Sequence, residues 1–104
     1  MANSFKNKKV DLTTTDLTTL YTVPTANVAL VKSILVSNDS GSGCNLDVTL
    51  TDSSGNVFSL FKSKSVSANT TVELLTQPLV MEAREVLKVQ AAYANRLHVV
   101  SSIL

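Results

Sequence analysis

The sequence holds one histidine, His98, and one cysteine, Cys44. A Cys–His nucleophile pair needs the two side chains in contact, and distance along the chain does not forbid that. The local patterns favour a quieter reading. Cys44 falls in phase with Leu46, Val48 and Leu50, where a free thiol behaves as a small buried hydrophobe. His98 stands between Leu97 and Val99, so a strand that turns those two inward turns His98 outward. One histidine with one cysteine cannot make a common zinc site. The acids are Asp11, Asp16, Asp39, Asp47, Asp52, Glu73, Glu82 and Glu85, and general acid–base work needs such groups gathered in a cleft. Most of them lie at turns, where Asp side chains cap backbone amides. Glu82 and Glu85 flank Arg84 in one turn, which reads as a solvated turn before a paired-carboxylate site. Asp39, Asp47 and Asp52 lack the spacing of a calcium loop, and no GK[ST] follows Gly41-Ser42-Gly43 to make a phosphate loop. With no Trp and 5% aromatics, a stacking platform for sugars or single-stranded nucleic acid is poorly supplied. The expectation is a non-enzymatic protein with no catalytic, metal or cofactor-binding residues.

The elements that would carry these residues are short strands. β-Branched residues dominate, Thr is abundant, and turn signals recur about every 8–12 residues, as in a sandwich or barrel. The first strand is expected near Lys8 to Thr13 and the second over Leu17 to Val23, before the turn VPTAN. The longest follows over Asn27 to Asn38. There Val28, Leu30, Ile34 and Val36 are placed on one face, and Ala29, Val31 and Leu35 on the other. Both faces are largely apolar, which fits a central strand or one that meets a partner. Cys44, Leu46, Val48 and Leu50 alternate with Asn45, Asp47, Thr49 and Thr51, the pattern of a strand with one wet face. DSSGN closes a hairpin onto a strand from Val57 to Lys62, with Gly55 or Asn56 free to take positive φ. Further strands are expected over Thr70 to Leu75, Leu79 to Met81, Val86 to Ala92 and Leu97 to Leu104. VMEAREVLKVQAAYANRL holds good helix formers, but Leu87, Val89 and Ala91 alternate with Lys88 and Gln90, and strand is preferred. The inward set is expected to be Val28, Leu30, Ile34, Val36, Leu46, Val48, Leu50, Leu60, Val72, Leu74, Leu87, Val89, Leu97 and Val99. The fold class is all-β: an antiparallel β-sandwich of eight to nine short strands, with the jelly roll as one form.

A chain of 104 residues fits one domain. It is divided here into an N-terminal arm over 1–9 and a single sandwich over 10–104. Hydrophobic residues make up 44% and charged residues 16%, so much of the surface must be Ser, Thr and Asn. Charge repulsion gives such a surface little help in staying monomeric. The net charge of +1 is too small to imply nucleic-acid or membrane binding. No apolar run reaches the roughly 18 residues of a membrane span. MANSFKNKK lacks the apolar core of a signal peptide, so export by that route is not expected. Lys6, Lys8 and Lys9 form the one basic cluster, beside the single aromatic Phe5. Phe5, Lys6, Lys8 and Lys9, with Tyr21 and Tyr93 as amphipathic anchors at strand ends, are the candidate subunit contacts.

The order of the segments carries more than any one of them. LYTVPTANVALVKSILVSN resembles a stretch of many small structural proteins of tailed bacteriophages, in which a YTVPAG turn leads into a long strand ending in SN. DVTLTDSSG resembles their VTVxVTDSS hairpin, and SVSANTTVELL their PVPAGSSLELL. PLVMEAREVLKVQAAYANRLHVVSSIL is similar to KLVLEAGDKLKVxASxANxVDVVVSYLE. The likeness runs from about Phe5 to Leu104 through turn and strand patterns. VPTAN, VSANT and MEARE depart from it in lacking the glycine of the PAG and EAGD turns. Type I turns need no glycine, and such turns are expected here.

The resemblance implies a non-enzymatic virion subunit, assembled in the cytoplasm of a bacterial host. The first expectation is a capsid decoration or cement protein on the major capsid lattice. The alternatives are a neck, tail or fibre-associated subunit, and a carbohydrate-binding host-recognition module. The partners implied are further copies of itself, with a trimer favoured because such decoration proteins sit on threefold positions, and the major capsid protein. Neither nucleic acid nor a membrane is among them.

Overall fold

A computed structural model describes residues 6–104. Nine strands make up the regular structure: β1 (Lys6–Asp11), β2 (Thr18–Thr22), β3 (Ala29–Asn38), β4 (Cys44–Thr51), β5 (Val57–Val66), β6 (Thr70–Glu73), β7 (Leu79–Met81), β8 (Val86–Ala91) and β9 (Leu97–Ile103). All pair antiparallel. One sheet runs β1-β9-β3-β6, with β7 continuing the β6 edge along the other half of β3; the second runs β2-β8-β4-β5. If β6 and β7 are taken as one interrupted strand, the partners nest: β4 with β5, β3 with β6 and β7, β2 with β8, β1 with β9. The chain is thus one long hairpin rolled into two sheets, which is the jelly-roll form of the sandwich. DSSGN lies at the tip of that hairpin.

Between the sheets lies a core that includes Ile34, Val36, Leu46, Val48, Leu87, Val89, Leu97 and Val99, each fully buried. Leu50, Leu60 and Val72 pack against it from its rim. The expected face of β3 holds only over its second half. Val28 is 69% exposed, and Ala29 and Val31 point inward in place of Val28 and Leu30. The reason is a register shift between Val31 and Ser33 on β9, which makes Lys32 an extra residue and reverses the alternation. The inward set becomes Ala29, Val31, Ile34 and Val36, with two residues, Lys32 and Ser33, between the two phases instead of one.

Two further differences concern ends and turns. The stretch 6–9 is not a free arm but part of β1, paired residue by residue with β9 from Lys6↔Ile103 to Lys9↔Val100. β5 also runs to Val66, beyond the expected Lys62, because it carries one extra residue between Lys64 and Phe61 and another between Phe61 and Ser59, which let its pairing with β4 continue past the polar SKS.

The type I expectation fails at the glycine-free turns. Ala26 (φ 65°), Asn69 (φ 57°) and Arg84 (φ 66°) all take left-handed backbone. In two of them the left-handed residue is third in a closed turn: the Asn27 amide donates to the Pro24 carbonyl at 3.2 Å, and the Glu85 amide to that of Glu82 at 3.2 Å. Type II turns reserve that position for glycine or asparagine. A non-glycine residue there costs on the order of 1 kcal/mol, partly offset because glycine is freer in the unfolded chain. Ala26→Gly and Arg84→Gly are therefore expected to raise unfolding free energy by roughly 0.5–1 kcal/mol each, and Asn69→Gly to be close to neutral. Gly55 (φ 89°) is the mirror case. A Cβ there meets nothing within 4 Å, so Gly55→Ala should lose stability through backbone conformation alone. Denaturant melts of the four variants check this, and a loss in both Ala26→Gly and Arg84→Gly would contradict it.

Candidate functional site

The candidate contact residues divide between several places. Phe5 lies outside the described residues. Lys6 and Lys8 share the side of β1 that carries the half-buried Val10. Their ammonium groups stand 5.6 and 5.8 Å from the centre of the Tyr21 ring, within range of cation–π attraction. Tyr21 is only 7% exposed, so it belongs to the core and offers no surface to a neighbour. Its burial follows from a register shift between Thr19 and Tyr21 in β2, which turns both Leu20 and Tyr21 inward. Lys9 points to the other face of β1, away from that cluster. Tyr93 is 56% exposed, and the Arg96 guanidinium carbon lies 4.3 Å from its ring centre. Arg96 is fixed in turn by donating from Nη1 to the Gly43 carbonyl at 3.0 Å. This stacked pair is the one expected anchor that stands free on the surface.

Cys44 is buried, and its thiol lies 3.8 Å from the Tyr93 carbonyl oxygen. No nucleophile–base pair forms with His98. That histidine does face outward on β9, and it is not alone. Its Nδ1 lies 2.8 Å from Asp11 Oδ1 and its Nε2 3.1 Å from Asp39 Oδ2. A carboxylate only accepts, so the ring donates to both only as imidazolium. Asp11 is the cross-strand partner of His98, and Asp39 follows the end of β3. The arrangement therefore fastens β1, β9 and the β3–β4 loop together at one end of the first sheet. Sequence reading could not see it, because Asp11 and His98 meet only through the pairing of the first strand with the last. Both ring nitrogens are thus within hydrogen-bond distance of a carboxylate.

The β3–β4 loop has its own fastening. The buried Asn38 donates from Nδ2 to the carbonyls of Ser42 (2.9 Å) and Val66 (3.1 Å), and its Oδ1 accepts from the Ser40 amide (3.0 Å) and hydroxyl (2.8 Å). All four capacities of the amide are used, which explains a buried polar side chain on the inward face of β3.

Among the described residues no group of three or more His, Cys, Asp and Glu could hold a metal ion. A polar groove of about 330 Å³ lies on the outer face of the second sheet, lined by Thr15, Asn45, Asp47, Ser63, Gln90, Ala91 and Ala92. Asp47 and Gln90 are direct cross-strand partners there. Asp47 Oδ1 accepts from the Ser63 amide at 2.6 Å, which stabilises the left-handed Ser63 (φ 54°), and Gln90 donates to the Thr15 carbonyl at 2.8 Å. The groove offers hydroxyls, amides and a carboxylate, but no aromatic floor.

At the hairpin tip, Asp52 acts as a cap. Its Oδ1 accepts from the amides of Ser54 and Asn56, both at 2.9 Å, while its carbonyl accepts from the Gly55 amide at 3.0 Å. The Asn56 amide is the largest influence and holds the carboxyl below its ordinary 3.8; desolvation opposes it, and the Asn56 side chain and the Ser54 and Gly55 amides add to the lowering. In this DSSGN turn the charged form of Asp52 does the holding.

Protein-family models give no match to the chain, and no curated protein matches it.

Because the folded-state pKa of Asp52 is depressed, its contribution is present above pH 3.8 and is lost as the pH falls through the lower folded value. Asp52→Asn removes the titration while keeping the shape. Its melting temperature should lie below that of the parent at neutral pH, and the gap should close in acid. A gap that stays constant down to the acid limit would show that the carboxylate charge is not what caps the turn.

Proposed function

We propose that this protein is a non-enzymatic structural subunit of a tailed-phage virion, with a decoration protein bound to the major capsid lattice as the preferred position. The observation that carries the reading is the backbone at Ala26, Asn69 and Arg84. These are the places at which the resembled phage pattern has glycine, and all three take left-handed conformation. Three departures from the pattern in residue type are thus agreements with it in backbone shape. The antiparallel jelly roll adds weaker support, since this fold serves capsid proteins and lectins alike and fold alone does not fix function.

In this reading the protein acts by shape. It joins copies of itself, with a trimer favoured, and seats on the capsid surface. The exposed Tyr93–Arg96 pair has the composition of an interface anchor, since aromatic and Arg side chains dominate binding energy at protein contacts. A neck, tail or fibre position is the closest alternative and uses the same features. The polar groove at Asn45, Asp47 and Gln90 favours a second reading, in which the outer face of the second sheet binds a saccharide of the host surface.

Quantifying this chain against the major capsid protein in purified virions tests the proposal. On the order of hundreds of copies are expected for decoration, whereas a ring at the neck or tail would contain six or twelve by closed symmetry. Absence of the chain from virions would overturn the virion reading and leave the saccharide reading to be judged on chemical-shift changes at Asn45, Asp47 and Gln90 when oligosaccharides are added.

A further inference from the structure

The outer face of the first sheet carries an order that the inner face does not require. The paired registers place four residues in one row across four strands: Lys9 on β1, Val100 on β9, Leu35 on β3 and Glu73 on β6. All four are exposed, Val100 at 38% and Leu35 at 39%. The row is antisymmetric: a cation at one end, an anion at the other and two large apolar side chains between. At the usual strand spacing of about 4.8 Å, the two charged ends are roughly 14 Å apart. Glu73 is held in place, since its Oε2 accepts from the amides of Ile34 (2.8 Å) and Leu75 (3.1 Å), so its charge is pre-positioned on that edge.

We infer that this face is a two-fold contact between two copies of the chain, packed face to face about an axis that runs parallel to the strands between β9 and β3. That axis sets Lys9 of each copy against Glu73 of the other, and Val100 against Leu35. The contact is isologous, with each residue pair occurring twice. The neighbouring row obeys the same operation. It runs Asp11, His98, Ser37, Thr71, so Asp11 meets Thr71 and His98 meets Ser37, with no like charges opposed. Rotation about an axis across the strands would instead set Lys9 on Lys9 and Glu73 on Glu73, and like-charge contacts of this kind select against it. Charge pattern therefore chooses both the partner and its orientation. Aligned packing of two sheets is also the common geometry for antiparallel faces. The apolar side chains supply the burial, and the ion pairs at the rim mainly fix orientation.

The contact does not depend on the virion reading. In a threefold assembly it would join subunits of adjacent trimers, and outside a virion it would still form.

Cross-linking of the full-length chain tests it. Cys44 is buried, so introduced cysteines report alone. A mixture of the Val100→Cys and Leu35→Cys variants should form the mixed disulfide under mild oxidation far faster than either variant alone. Sedimentation of the unmodified protein should show species with even numbers of chains, weakened roughly a hundredfold by Leu35→Asp, a change at an exposed site that leaves the melting temperature near that of the parent. Lys9→Glu should weaken association severalfold while Lys9→Arg does not. A monomer at all concentrations, association indifferent to Leu35→Asp, or cross-linking no faster in the mixture than in the single variants would each overturn the inference.

Discussion

The carboxylate of Glu73, bonded to the backbone amides of Ile34 and Leu75, holds the point where the first sheet changes phase. β3 is the strand on which that sheet is built, since β9 lies along one side and β6 and β7 share the other. Its extra residue, Lys32, reverses the alternation halfway along. Without the bulge, a strand apolar on both faces would bury one half and expose the other. With it, Ala29 and Val31 as well as Ile34 and Val36 reach the core. The bulge and the break between β6 and β7 leave backbone groups without ladder partners, and each such group costs about 1–3 kcal/mol if buried and unpaired. Glu73 satisfies the Ile34 amide, and the buried Ser101 hydroxyl donates to the Ser33 carbonyl at 2.9 Å. Two side chains from β6 and β9 thus make an irregular central strand affordable.

From that strand the rest follows by nesting. Each pair, from β4–β5 at the tip to β1–β9 at the open end, joins a segment of the first half of the chain to one of the second. The open end has no hairpin to close it, and its fastening is made by side chains: Asp11 and Asp39 on either side of His98. The tip is closed by Asp52 and Gly55. His98, Asp11, Asp39 and Asp52 are in this way occupied with holding strands and turns. The surface is nearly neutral, rich in hydroxyls, and patterned on the outer face of the first sheet.

Much of the fold was legible. The clean alternation of Cys44 to Thr51, the DSSGN turn, and the short strands near Leu79, Val86 and Leu97 all follow from period-two patterning and turn chemistry. The burial of Cys44 and the outward turn of His98 were legible for the same reason. Features that depend on a partner strand were not. The bulge at Lys32 leaves no mark within NVALVKSILVSN, where both phases look apolar. Tyr21 was read as an anchor because a tyrosine at a strand end often is, but the shift in β2 pairing turns it inward. The left-handed backbone at Ala26 and Arg84 was invisible because neither residue type suggests it. Lys6 to Lys9 looked like a solvated arm, since their pairing with β9 draws on no apolar pattern of their own.

Native-state hydrogen exchange at the Ile34 amide tests the central claim most directly. If Glu73 holds the middle of β3, this amide should exchange as slowly as those of Leu35 and Val36 in the parent protein. In Glu73→Ala it should become selectively fast, together with the Leu75 amide, while β4 and β8 keep their protection. An Ile34 amide that exchanges as freely as a loop in the parent, or stays protected in Glu73→Ala, would contradict the account.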